Sequence, residues 1–128
     1  MVTESDLGPL LHAVPSYAEQ WERERAEIRP ESPVHELTLW LAVHLADRIA
    51  AGDESELDGF FAAVDQLYRE GDGEMDDRLT VGLLESLIHA AEDRGVKLAR
   101  IAMHISGAEA RAGWEAAYAY THADRTAS

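Results

Sequence analysis

The stretch that most constrains this chain is SPVHELTLWLAVHLADRIAAG, residues 32–52. Ser32 is an N-cap residue. Pro33 follows at the first helical position, where a missing N–H costs nothing and the fixed φ is already helical. Glu36 falls in the first turn, where a negative charge meets the positive end of the helix dipole. The segment predicts a helix to about Ala51, stopped by Gly52. Leu37, Leu39, Trp40, Leu41, Val43, Leu45 and Ile49 cover most of the helical wheel. A helix apolar on most sides must be surrounded by others, so this one is expected at the centre of a helical core.

The rest of the chain repeats the 3.6-residue period, and no strand-like run bounded by turn signals interrupts it. Leu7, Leu10, Leu11 and Val14 form a short apolar patch that ends at Pro15. A helix is predicted from Ser16, as cap, to Ile28, with Tyr17, Trp21 and Ile28 on one face and RPESP as its breaker. Asp53 is read as the cap of another helix that ends near Gly71. Its stripe is Leu57, Phe60, Phe61, Val64, Leu67 and Tyr68. The turn GDGEMDD precedes a helix from Glu74 or Asp76 to Arg94, closed by Gly95. A short helix through Leu98, Ile101, Ala102 and Ile105 is interrupted by Gly107. The last runs from about Ala108 to Tyr120, with Trp114, Ala117 and Tyr118 on one face. The fold class is therefore all-α: an irregular bundle of about six mostly antiparallel helices. It forms a single domain over 1–128 with frayed ends at 1–5 and 122–128. At 128 residues, roughly two-thirds of the unfolded surface can be buried, enough for a core without staples.

The sequence has no cysteine, which excludes disulfides, thiolate metal sites and a cysteine nucleophile. No run approaches the ~18 apolar residues of a membrane span. The opening MVTESDLGPLLHAVP lacks the basic and apolar regions of a signal peptide, so a cytoplasmic location is expected. Serine-nucleophile motifs and glycine-rich phosphate loops are absent, so no catalytic residue and no cofactor is assigned. GDGEMDD lacks the residue order of a calcium loop and reads as a turn whose acids complement the following helix. Glu85, His89 and Glu92 stand at i, i+4 and i+7 and are the low-ranking candidates for one metal ion. The blander account is a solvated helix edge with an ordinary Glu–His pair. His44 reads as a core histidine with one hydrogen-bond partner. His12, His104 and His122 carry no assignment.

Charge supplies the stronger lead. The net charge is −14. Residues 47–77 hold eleven acids against Arg48 and Arg69, a balance of −9, whereas the chain from Arg94 onward carries +2. Such a protein repels nucleic acid and anionic lipid and attracts basic proteins. Asp58, Asp65 and Asp72 recur every seven residues and are read as one exposed stripe. Together with Glu74, Asp76 and Asp77 they are the candidate contacts for a basic protein partner. The competing account is a face that only keeps the protein soluble. A third possibility is an acidic mimic of DNA, which needs carboxylates spaced like phosphates.

Two stretches, FFAAVDQLYREGDGEMDDRLTVGLLESL (60–87) and ISGAEARAGWEAA (105–117), resemble a group of small helical bacterial proteins of uncharacterised domain type. The features carrying the likeness are Gly71-Asp72, the apolar run from Val81 to Leu87 with Glu85, and Gly107 with Arg111 and Trp114. Members of that group look like immunity proteins that accompany polymorphic toxins. The resemblance implies a non-catalytic inhibitor of a bacterial toxin and carries no catalytic residue. It also implies structural roles for Trp114, packed on the core, and for Arg111, paired with an acid.

Overall fold

A computed structural model describes the backbone of residues 1–28 and 32–127 and the side chains of 1–27 and 32–123. A turn of 3₁₀ helix at Ser5–Leu7 leads into α1 (Gly8–Ala13), α2 (Pro15–Ile28), α3 (Pro33–Ala50) and α4 (Leu57–Glu70). Then come α5 (Gly73–Asp77), a π-helical segment (Arg78–Leu84), α6 (Glu85–Asp93), α7 (Leu98–Ala102) and α8 (Ala108–Ala127). The described residues contain no strand, so the all-α bundle is what the chain forms.

Helix α3 buries Val34, Leu37, Thr38, Leu41, Ala42, Leu45, Ala46 and Ile49. It packs along α6 and the π-helical segment, which in turn meet α8, while α8 lies along α4. That order of contacts sets α6 and its π-helical entry between α3 and α8. Enclosure of α3 is incomplete: Trp40 is 44% exposed and its indole N–H bonds Glu36 at 2.7 Å. The core between α4 and α8 is aromatic. Phe61 stands edge-on to Trp114, ring centres 5.9 Å apart, and to Phe60 at 5.0 Å. Edge-to-face pairing suits the quadrupoles of these rings. Trp114 thus packs on the core as expected.

Several boundaries differ from expectation, and each difference has a local cause. The apolar patch before Pro15 is itself helical as α1, with Pro9 in its first turn. Pro15, not Ser16, opens α2, so Ser16 lies inside the helix and its hydroxyl goes elsewhere. The breaker RPESP falls largely on residues 29–31, outside the described residues. Ser32 precedes α3 but makes no side-chain cap hydrogen bond. Asp53 does not cap α4. Its carboxylate accepts from the N–H and hydroxyl of Ser55, at 3.0 and 2.6 Å, and closes the turn. Gly52 takes φ 93° there, the left-handed region open to glycine.

Glu4 accepts from the Trp21 indole N–H at 2.9 Å and from Arg25 at 3.0 Å. Helix α8 continues to Ala127, and Ser128 lies outside the described residues. Arg111 also departs from its expected pairing with an acid: its guanidinium donates to the Ile105 carbonyl at 3.0 Å.

The stretch predicted as one helix from Glu74 to Arg94 is continuous but changes register. At its midpoint the Glu85 N–H bonds the Thr80 carbonyl, five residues back. This is a π-helical arrangement, which most often appears as a short insertion at functional sites.

Candidate functional site

Asp58, Asp65 and Asp72, the three aspartates read as one stripe, do not form one. Asp65 is only 8% exposed. Its carboxylate accepts from the Ala110 N–H at 2.9 Å and from Arg69 at 3.2 Å. Ala110 lies in the first turn of α8, where backbone N–H groups have no partner within the helix. Asp65 therefore caps α8 from the neighbouring α4. Gly107 makes this possible, because a Cβ there would collide with the Asp65 carboxylate. The seven-residue spacing set Asp58 and Asp65 on one helix, with Asp72 beyond its end. It could not tell that Asp65 meets another helix.

Asp58 remains exposed but belongs to a different cluster. It accepts from His104 Nδ1 at 2.8 Å, and His104 Nε2 faces Glu54 at 3.0 Å. With an acceptor at each nitrogen, both must donate, so the ring is an imidazolium. These hydrogen bonds, first with Glu54 and then with Asp58, raise the His104 pKa. Arg100 bonds Glu54 at 2.5 Å. Its hydrogen bond, followed by that of His104, holds the Glu54 carboxyl below its ordinary range. Asp58 and Asp72 lie at opposite ends of α4, roughly 20 Å apart along its axis.

The remaining four candidates converge. Gly71 closes the turn after α4 so tightly that a Cβ would lie 2.7 Å from the Leu67 carbonyl. Asp72 then caps α5, accepting from the Met75 N–H at 3.1 Å. Glu74, Asp76 and Asp77 follow within a turn and a half, all exposed. Glu74 contacts the N-terminal ammonium of Met1 at 3.0 Å. The Asp76 and Asp77 carboxylates have no hydrogen-bond or ion-pair partner among the described residues, although the Asp76 N–H bonds the Asp72 carbonyl. Glu70, also exposed, precedes the turn. The result is one compact acidic knob at the α4–α5 junction.

The other acids of the 47–77 stretch hold the fold together. Asp47 pairs with Arg94 at 2.6 Å. Glu56 accepts from the Ser16 N–H at 3.1 Å and from the Ser16 hydroxyl, capping α2 from outside as Asp65 caps α8. His44 Nε2 lies 2.8 Å from the same Ser16 oxygen. The lone hydroxyl proton goes to Glu56, so the imidazole must donate to Ser16 rather than accept from it. A base must accept that proton, so the Ser16–His44–Glu56 cluster has the wrong order for nucleophile activation. Burial first, and then the Arg48 charge, lowers the His44 pKa. His44 is half-buried rather than fully enclosed, with Ser16 as its partner.

Glu85, His89 and Glu92 are not gathered. Among the described residues no three His, Asp or Glu side chains stand close enough to share an ion. Glu92 is engaged with His122 at 3.2 Å, and His122 stacks on Tyr118 with ring centres 4.0 Å apart.

The knob borders a groove of about 970 Å³ that sequence reasoning did not find. The N-terminal residues, the start of α3, the π-helical segment and Tyr120 of α8 form its walls. Those residues are far apart in sequence, and no local pattern announced their meeting.

No helix among the described residues is long and apolar enough to cross a membrane. The profile of one family, described as a domain of unknown function (DUF7674), matches residues 8–117, most of the chain. No curated protein and no solved structure matches it.

Proposed function

The chain belongs to the DUF7674 family, and we propose that it is a non-catalytic acidic protein-binding module, an immunity-type inhibitor of a basic bacterial toxin. One observation carries the reading. In the −9 stretch Asp47, Glu54, Glu56, Asp58 and Asp65 are engaged between helices, whereas Glu74, Asp76 and Asp77, with the α5 cap Asp72, crowd one exposed junction. Like charges held together in this way oppose folding slightly. Their use is in attracting a basic partner and setting its orientation. A cytoplasmic location is part of the same proposal.

The test uses the purified product of the adjacent gene. Affinity and association rate are measured at low and high salt for the unaltered chain and for the Asp76→Lys/Asp77→Lys variant. The reading expects association that slows with salt and slows further in the variant. Equal rates in both proteins at both salt concentrations would remove its basis.

A further inference from the structure

The groove beside the acidic knob combines apolar side chains with charged ones. Val81, 54% exposed, and Tyr120, 64% exposed, open into it, and Val2 and Val34 add to the same apolar lining. Asp77 and Glu74 stand on its rim, continuous with the knob. Arg78 also lines it. In a chain this acidic, Arg23, Arg25, Arg48, Arg69, Arg94 and Arg100 all have carboxylate partners. The Arg78 guanidinium has neither an ion pair nor a hydrogen bond with any described residue; only the residue's backbone N–H is bonded, to the α5 carbonyls. Its side chain runs over Gly82, with the guanidinium 3.4 Å from where a glycine Cβ would be. A Cβ at position 82 would crowd the Arg78 side chain, and glycine leaves it room.

We propose that this groove receives one segment of the partner, a peptide stretch in which apolar side chains alternate with basic ones. The inference rests on the acidic-module reading and deepens it by naming the segment and its seat. The apolar side chains fill the space between Val81 and Tyr120. The basic ones meet Asp77 and Glu74. Arg78, with five N–H donors and no acceptor of its own, bonds the carbonyl oxygens of the extended segment. A basic surface alone needs only the knob; the apolar lining, and a guanidinium with no partner among the described residues, call for a chain that enters.

The test uses the full chain, ¹⁵N-labelled, and two synthetic peptides of equal positive charge. One alternates arginine with leucine, and the other carries serine at each leucine. Backbone amide shifts report the site, and titration reports affinity. Val81→Ser and Tyr120→Ser alter exposed side chains, and Met103→Ser, at a residue 75% exposed outside the groove, is the control. The proposal expects shifts centred on Val34, Arg78, Val81 and Tyr120, with about tenfold weaker binding of the serine peptide. Val81→Ser and Tyr120→Ser should erase that difference, and Met103→Ser should preserve it. Equal binding of both peptides, with shifts confined to residues 70–77, overturns the groove and leaves the acidic knob standing. An uncharged leucine–serine peptide that binds as well as the basic one overturns the charge requirement, and with it the reading beneath. If neither basic peptide binds, both fall.

Discussion

At the residue scale, single side chains settle how separate helices join. Asp65 is the clearest. It satisfies an N–H of α8 that nothing in α8 can satisfy, and Gly107 leaves the space. Asp65→Ala should cost about 1–3 kcal/mol in urea unfolding, the penalty of an orphaned buried donor. Asp65→Asn keeps an acceptor and should cost less. Gly107→Ala displaces the carboxylate and should destabilise comparably. In an Asp65→Ala background that second change should cost clearly less, a non-additivity of about 1 kcal/mol or more. Strict additivity of the two would show that the glycine does not serve the cap.

Two histidines respond to pH with opposite sign. The folded pKa of His104 is raised by Glu54 and Asp58, with Arg100 and its positive charge on the far side of Glu54. Its contribution is complete below the unfolded value of about 6.5 and is lost as pH rises through the folded value. His44 is shifted downward. Its contribution is present above about 6.5 and is lost as pH falls through its folded value. Unfolding free energies from pH 5 to 8 should therefore diverge for His104→Gln and His44→Gln. The first variant should lose relatively more stability at the acid end and the second at the neutral end. Parallel curves would contradict the two assignments.

At the element scale, α8 approaches α4 closely because of a second glycine. A Cβ at Gly113 would overlap the Tyr68 hydroxyl, which lies 2.7 Å from the Thr80 hydroxyl in the π-helical segment. Burial pushes the Tyr68 phenol up to about 12, so it stays a neutral partner. Alanine in a helix interior is ordinarily favoured over glycine by about 1 kcal/mol. Here overpacking should prevail, and Gly113→Ala is expected to destabilise by about 1–3 kcal/mol. Tyr68→Phe in the same background should recover part of that loss, because it removes the first atom in the way. A melting temperature raised by Gly113→Ala would show that α8 can withdraw from α4 without cost.

At the scale of the whole molecule, the charge divides into two populations. Asp47, Glu54, Glu56 and Asp65 bind the helices together, whereas the knob's Asp76 and Asp77 carboxylates have no partner among the described residues. Neutralising Asp76 and Asp77 to asparagine should change stability by no more than about 0.5 kcal/mol, as for ordinary surface positions. The same change should slow association with a basic partner at low salt. A loss of stability above that range would mean these acids are structural after all.

What the sequence by itself determined was everything governed by local rules. Periodicity set the helix class and most of the core, and proline and glycine placed the ends of α3 and α6. Charge counting found the acidic middle. The failures concern partners far along the chain. Ser16 and Asp53 have the chemistry of caps, yet Ser16 is bonded by Glu56 and Asp53 serves a turn. A side chain goes to whichever unsatisfied group packing brings nearest. Asp65 had the same spacing signature as Asp58 and Asp72, and only the arrival of α8 turned it from surface charge into a buried cap. The groove has no sequence signature because four separate segments build it. Tertiary structure decided which carboxylates were consumed between helices and which stayed exposed. That depends on distances between helices, which the order of residues along one helix does not encode.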